Sequence, residues 1–161
     1  MNPCPCGNYP DVEKCSCTPG QIQHYLGKIS QPFLDRIDIC AEAPRTEYEM
    51  LGKTGGTTSA QMREMVCCAR RVQAERYRGT EIRWNSMLGV KELDLYCKLG
   101  KEEKKLMEKA FHSLGLTART YHKILKTART IADLEGEEQV QASHLSEAVG
   151  YRMLNKKYWG R

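Results

Sequence analysis

Apolar positions recur at helical spacing along most of this chain. The clearest case is residues 114–136, where Tyr121, Ile124, Leu125, Ala128, Ile131, Ala132 and Leu134 return at a helical period. One face of a helix there must pack on a core. Thr117 stands where an N-cap hydroxyl is needed, and Gly136 where a helix can stop in the left-handed conformation. The same period predicts a helix capped by Thr18, with Pro19 in its first position, Gln21 completing a capping box, and Ile22, Tyr25, Leu26 and Ile29 on its apolar face. A short helical turn follows over residues 30–36. Thr58 and Gln61 form a second capping box, which opens a helix to about Tyr77 with Met62, Val66, Ala69, Gln73 and Tyr77 on its inner side. Further helices are predicted over 91–97, over 101–113 with Leu106, Met107, Ala110 and Leu114 inward, and over 142–152 with Leu145, Ala148, Val149 and Met153 inward. Residues 155–161 form a basic, aromatic tail expected to fray. Residues 37–44 alternate apolar and polar positions up to Pro44, the pattern of a short edge strand.

These elements group into three parts. Residues 1–44 open with an aperiodic Pro- and Cys-rich loop over 1–17 and carry the two short helices and the strand. Residues 45–57, with Gly52, Gly55 and Gly56, read as a linker. Residues 58–161 read as a helical bundle, so the fold class is mainly α. A chain of 161 residues is about one domain in size. No apolar run is long enough to span a bilayer, and Met1-Asn2-Pro3 lacks the basic and apolar regions of a secretory leader. The net charge of +5 permits an anionic partner without demanding one. Lys and Arg gather in 70–78, 98–109 and 123–129, interleaved with acidic or apolar residues, which reads as solvated helix faces. Eight cysteines without a secretory leader point to a reducing compartment, the cytoplasm. Cys40, Cys67, Cys68 and Cys97 are scattered and read as small hydrophobes or incidental thiols.

Three features carry candidate chemistry. Cys4-x-Cys6 and Cys15-x-Cys17 supply four thiolates from two close pairs, enough for a closed tetrahedral zinc site. Free thiols with a packing role, or disulfides formed on oxidation, are the other readings of the same spacing. His24 reads as a surface histidine. Arg119 sits in the first turn of its helix, where unpaired N–H groups and the helix dipole favour an anion. Arg36 lies between Asp35 and Asp38, and the residues alone favour a local ion pair. By periodicity alone Arg119 is a solvated arginine.

The wording of these segments changes the weighting. Residues 114–136 closely resemble the sensor-2 helix of the magnesium-chelatase-like AAA+ ATPases, a family that includes a bacterial competence ATPase. Met1-Asn2-Pro3-Cys4-Pro5-Cys6-Gly7 resembles the family's sensor-1 turn, and residues 18–38, ending in Leu34-Asp35-Arg36-Ile37-Asp38, resemble the segment that follows it. The resemblance implies a short remnant of the α/β ATPase core over 1–44 and a helical lid over 58–161. It implies that Arg36 is an arginine finger, that Asn2 orients the attacking water, and that Arg119 contacts the nucleotide phosphates. It implies ATP and Mg2+ as cofactors, a hexameric ring of copies, and DNA remodelling such as branch migration. No Gly-x-x-x-x-Gly-Lys-Ser/Thr loop and no strand followed by a magnesium-binding acidic pair occurs in these residues. The chain is therefore expected to be the C-terminal part of a motor, inactive toward ATP by itself. The alternative is a stand-alone, zinc-stabilised helical module that binds nucleic acid through its basic faces and the Tyr158-Trp159 tail. Glu102, Glu103, Glu108, Glu135, Glu137 and Glu138 dilute those faces. A pure oligomerisation bundle is the third reading, and it requires an exposed apolar stripe on one helix.

Overall fold

The computed structural model describes residues 1–43, 46, 48 and 55–159. Pro44 and, within the expected linker, residues 45, 47 and 49–54 lie outside them. Among the described residues the chain forms seven α-helices and no strand. They are α1 (Pro19–Gly27), α2 (Gln31–Leu34), α3 (Ser59–Arg76), α4 (Val90–Tyr96), α5 (Lys101–Leu114), α6 (Ala118–Glu135) and α7 (Ala142–Trp159), with a 3-10 turn at Asn85–Met87 between α3 and α4. None is long and apolar enough to cross a membrane.

Helix ends follow local chemistry. Thr18 Oγ1 accepts from the Gln21 amide at 3.3 Å while Gln21 Oε1 accepts from the Thr18 amide at 2.9 Å. Thr58 and Gln61 repeat the exchange at 3.3 and 2.8 Å. Each box satisfies N–H groups that a helix start leaves without partners. Thr117 Oγ1 caps α6 through the Thr120 amide at 3.2 Å. At the other end Gly136 takes φ of 76°, which lets the Glu137 amide reach the Ala132 carbonyl at 2.8 Å. That is the Schellman closure that glycine permits.

The chain divides into two compact units, Met1–Ala41 with Tyr151–Arg161, and Glu42–Gly150. In the larger unit α6 is the hub, packing against α3, α4 and the 3-10 turn. Ile124, Leu125, Ala128, Ile131 and Ala132 form its buried face, as the period requires. Met107 and Ala110 of α5, Leu145 and Ala148 of α7, and Leu88, Leu93 and Cys97 complete the core. Four expected inward residues instead face solvent: Met62 is 54% and Val66 51% exposed on α3, and Leu134 and Met153 are also exposed. Burial of α3 begins only at Ala69.

Charge at the centre of this unit departs from the expectation of solvated basic faces. Asp133 has no exposed side-chain surface, and Arg129 is 1% exposed. Asp133 accepts from Arg129 Nε at 3.1 Å, from both terminal nitrogens of Arg76 at 2.5 and 3.0 Å, and from Asn85 Nδ2 at 2.8 Å. Asn85 in turn donates to Thr130 Oγ1 and accepts from the Tyr77 hydroxyl at 2.6 Å. The remaining Arg129 nitrogens donate to the carbonyls of Glu138 at 2.7 Å and Glu137 at 2.6 Å. One carboxylate thus ties α3, the 3-10 turn and the α6–α7 connection to α6.

Residues 37–43, which begin in the smaller unit, form no strand, and this corrects the expected edge strand. The Cys40 amide donates to the Tyr151 carbonyl of α7 at 3.2 Å, and Arg152 donates to the Ile37 carbonyl. The segment is pinned to the middle of α7, so among the described residues its alternation answers no ladder. Of the tail expected to fray, residues 155–159 are helical, because α7 continues to Trp159, whose Nε1 donates to the Leu26 carbonyl at 2.9 Å; residues 160 and 161 lie outside the described residues.

Removing a member of a buried, hydrogen-bonded ion network leaves the partner charges uncompensated. Asp133→Ala is therefore expected to lower unfolding free energy by about 3–5 kcal/mol, whereas Met62→Ala stays within about 0.5 kcal/mol. Urea unfolding followed by circular dichroism checks both. Equal effects would show that the buried network does not hold the bundle.

Candidate functional site

Arg36 follows a helix too short to hold itself. Ser30 precedes α2, Pro32 sets its first turn, and Leu34, 2% exposed, anchors it in the core of the smaller unit. With Leu34 facing inward, the chain turns Arg36 outward, where it is exposed and its Nη1 donates to the Pro32 carbonyl at 3.4 Å. Asp35, one candidate for a local ion pair, accepts from Gln31 Nε2 at 3.1 Å. Arg152, 4% exposed, reaches the carbonyl of the very next residue after Arg36. No periodicity signals that contact, since 115 residues separate the partners. Asn2 is exposed at the start of the same unit.

Arg119 belongs to the other unit. It is the second residue of α6, directly after Thr117 and Ala118, and it is exposed. Its neighbour Thr120 is buried and supplies the amide that Thr117 caps. The helix start therefore holds its backbone in place while the guanidinium faces solvent, beside the positive end of the helix dipole. An anionic group is the chemistry that such an arrangement suits.

The four cysteines of the first loop come together. Their sulfurs all lie within 4.8 Å of one another, and Cys4–Cys6, Cys6–Cys15 and Cys4–Cys15 are 3.4, 3.6 and 3.8 Å apart. Cys4 is buried, Cys15 and Cys17 half-buried, and Cys6 exposed. Among the described residues this is the one group of three or more His, Cys, Asp or Glu side chains with the spacing of a metal site. His24 is exposed and is not part of it. With Cys6, Cys17, Tyr25 and Lys28 it lines an open groove of about 780 Å³ along α1.

Electrostatics split the thiols. The backbone N–H of Asn8 is the main influence that brings Cys6 down to about 6. Cys17 is pushed up to about 11, because desolvation and the neighbouring Cys6 and Cys4 outweigh the amide hydrogen bond it accepts from Cys6. In reduced, chelator-treated protein, Cys6 is thus expected to alkylate with a midpoint near pH 6, and Cys17 to remain a thiol up to about pH 11. Iodoacetamide labelling across pH with peptide mass spectrometry measures both. A common midpoint at the ordinary thiol value of 9.0 would contradict this electrostatic split.

Comparison with known proteins covers both parts of the chain. The family described as magnesium chelatase, subunit ChlI C-terminal, matches residues 56–152, and the family described as magnesium chelatase, subunit ChlI, matches residues 1–51. The competence protein ComM of Haemophilus influenzae is 45% identical over 156 residues, 96% of this chain and 30% of that protein. The uncharacterized protein YifB of Escherichia coli is 37% identical over 158 residues, 97% of this chain and again 30% of the relative. An uncharacterized protein of Mycobacterium bovis is 28% identical over 97% of this chain and 31% of its own length. The chain thus spans about 30% of the length of the curated relatives it matches.

Proposed function

We propose, for a chain that belongs to the magnesium chelatase ChlI family, that these residues are the C-terminal part of an ATP-driven ring motor. The observation that carries this reading is the pair of exposed arginines. Each is set at the end of an anchored element, Arg36 after α2 and Arg119 at the start of α6, and each falls in a segment that resembles a family motif.

Hydrolysis gathers negative charge on the oxygens of the transferred phosphoryl group. Arg36, presented to the nucleotide of a neighbouring subunit, neutralises that charge as it develops. Arg119 grips the nucleotide phosphates in the ground state as well as during reaction, from the start of the lid helix. Asn2 orients the attacking water. Mg2+ accompanies ATP and neutralises charge on its phosphates. The described residues contain no acidic cluster with the spacing to hold that ion. The ring is an assembly of copies of the full-length protein, working in the cytoplasm. DNA is the substrate on which the motor acts, a reading supported by the competence relative and by no residue of this chain.

In the full-length protein, Arg36→Ala is expected to lower kcat for ATP by about 10³-fold or more, with nucleotide affinity nearly intact. Arg119→Ala shifts more of its effect to affinity. Lysine at either position rescues poorly, because it lacks the planar fork that grips two phosphate oxygens. The 161 residues alone show no turnover. Steady-state hydrolysis with and without DNA, alongside binding of a fluorescent ATP analogue, tests each statement. Turnover by the isolated 161 residues, or an Arg36→Ala protein as active as the parent, would overturn the reading.

A further inference from the structure

We propose that Cys4, Cys6, Cys15 and Cys17 bind one zinc ion in a closed, structural tetrathiolate site. Zinc–sulfur bonds of about 2.3 Å in a regular tetrahedron put ligand sulfurs about 3.8 Å apart. The three cysteine pairs at 3.4, 3.6 and 3.8 Å match that edge, and the whole set stays within 4.8 Å. Disulfide sulfurs lie about 2.05 Å apart in pairs. Here Cys4, Cys6 and Cys15 approach one another almost equally, so no pairing is favoured.

The backbone around the sulfurs is built for anions. The Tyr9 amide donates to Cys4 Sγ at 3.4 Å. Gly7, at φ of 79°, turns the chain after Cys6, and its amide donates to the Cys4 carbonyl at 3.1 Å. Such second-layer donors orient ligands and stabilise thiolate charge. A second turn brings the pairs together. Asn8 Nδ2 donates to the Lys14 carbonyl at 2.8 Å, the Cys15 amide donates to the Asp11 carbonyl at 2.9 Å, and Asp11 Oδ1 accepts from the amides of Glu13 and Lys14.

Apolar burial does not hold this loop. Cys4 is the sole buried hydrophobic residue in 1–17, and Val12 is 81% exposed. A segment with four converging thiols and no apolar core is the kind that a metal folds. The ligand set selects the ion: thiolates disfavour Mg2+ and Ca2+, and four sulfurs about one centre suit zinc. All four positions are filled by protein, so the site keeps no place for water or substrate. Its effect is on shape. Tyr9 in the loop meets Tyr158 of α7 edge to face at 6.4 Å, within the unit that also carries Arg36.

The test uses the full chain, made with zinc in the growth medium. Elemental analysis is expected to give one zinc per chain, released in step with mercurial modification of the four thiols. Replacement by Co2+ should give the intense visible bands of a tetrahedral thiolate site. X-ray absorption should show sulfur scatterers at about 2.3 Å. Cys17→Ser, at a half-buried position, should weaken zinc by about 100-fold or more. Because a cysteine variant can fail to fold, the wild-type protein stripped of metal provides the second measurement: amide exchange of residues 1–17 should quicken on stripping and slow again with zinc. Zinc-free protein whose four thiols react freely and whose exchange ignores added zinc would overturn the proposal. Iron in the site, or a disulfide found in unreduced peptides, would overturn it too.

Discussion

Asp133 is a carboxylate with no exposed surface, and the larger unit depends on how its charge is met. A buried anion is tolerated only when partners occupy its lone pairs. Here two arginines and an asparagine do so, and they come from α3, α6 and the 3-10 turn. Arg129 then spends its other nitrogens on the carbonyls of Glu137 and Glu138, just past the left-handed Gly136. The end of α6, the direction of α3 and the path into α7 are therefore set together. His144 extends the arrangement. Its Nδ1 accepts from the Gln141 amide, so the proton sits on Nε2, 3.0 Å from Glu135.

The proposed function draws on this network through α6. The helix is locked over its last turns, and Thr117 fixes its first, so Arg119 is carried by a stiff element. Arg36 is held by different means in the other unit: Leu34 buried on one side, and Arg152 gripping the following carbonyl on the other. An arginine acting on transition-state charge contributes most when its backbone is fixed before the reaction. Both candidates meet that condition while keeping their guanidinium groups exposed.

Much of this was legible in the residues. Thr18, Thr58 and Thr117 act within three residues of their partners, so local order suffices to find them. The period of Ile124, Leu125, Ala128, Ile131 and Ala132 marks the face of α6 that meets the core, and the spacing of Cys4, Cys6, Cys15 and Cys17 marks the thiol cluster. The Asp133 network was not legible. Arg129 and Asp133 look like an ordinary surface pair four residues apart, while Arg76 and Asn85 are 57 and 48 residues away. Periodicity also failed on α3, because it identifies a face and not the neighbour that covers it. Met62 and Val66 share a stripe with buried Ala69 yet stay exposed. Alternation over 37–44 suggested a strand, but seven or eight residues cannot reveal whether a ladder partner exists.

In the proposed motor, Arg36 works on a neighbouring subunit's nucleotide. Subunit mixing tests it most directly. Full-length Arg36→Ala protein is combined with a full-length variant whose phosphate loop is disabled, and ATP hydrolysis is measured as the ratio is varied. Each variant alone should be inactive, and the mixture should regain activity at interfaces that pair an intact Arg36 with an intact phosphate loop. A mixture that stays inactive at every ratio, while each variant still assembles with wild-type subunits, would contradict the claim.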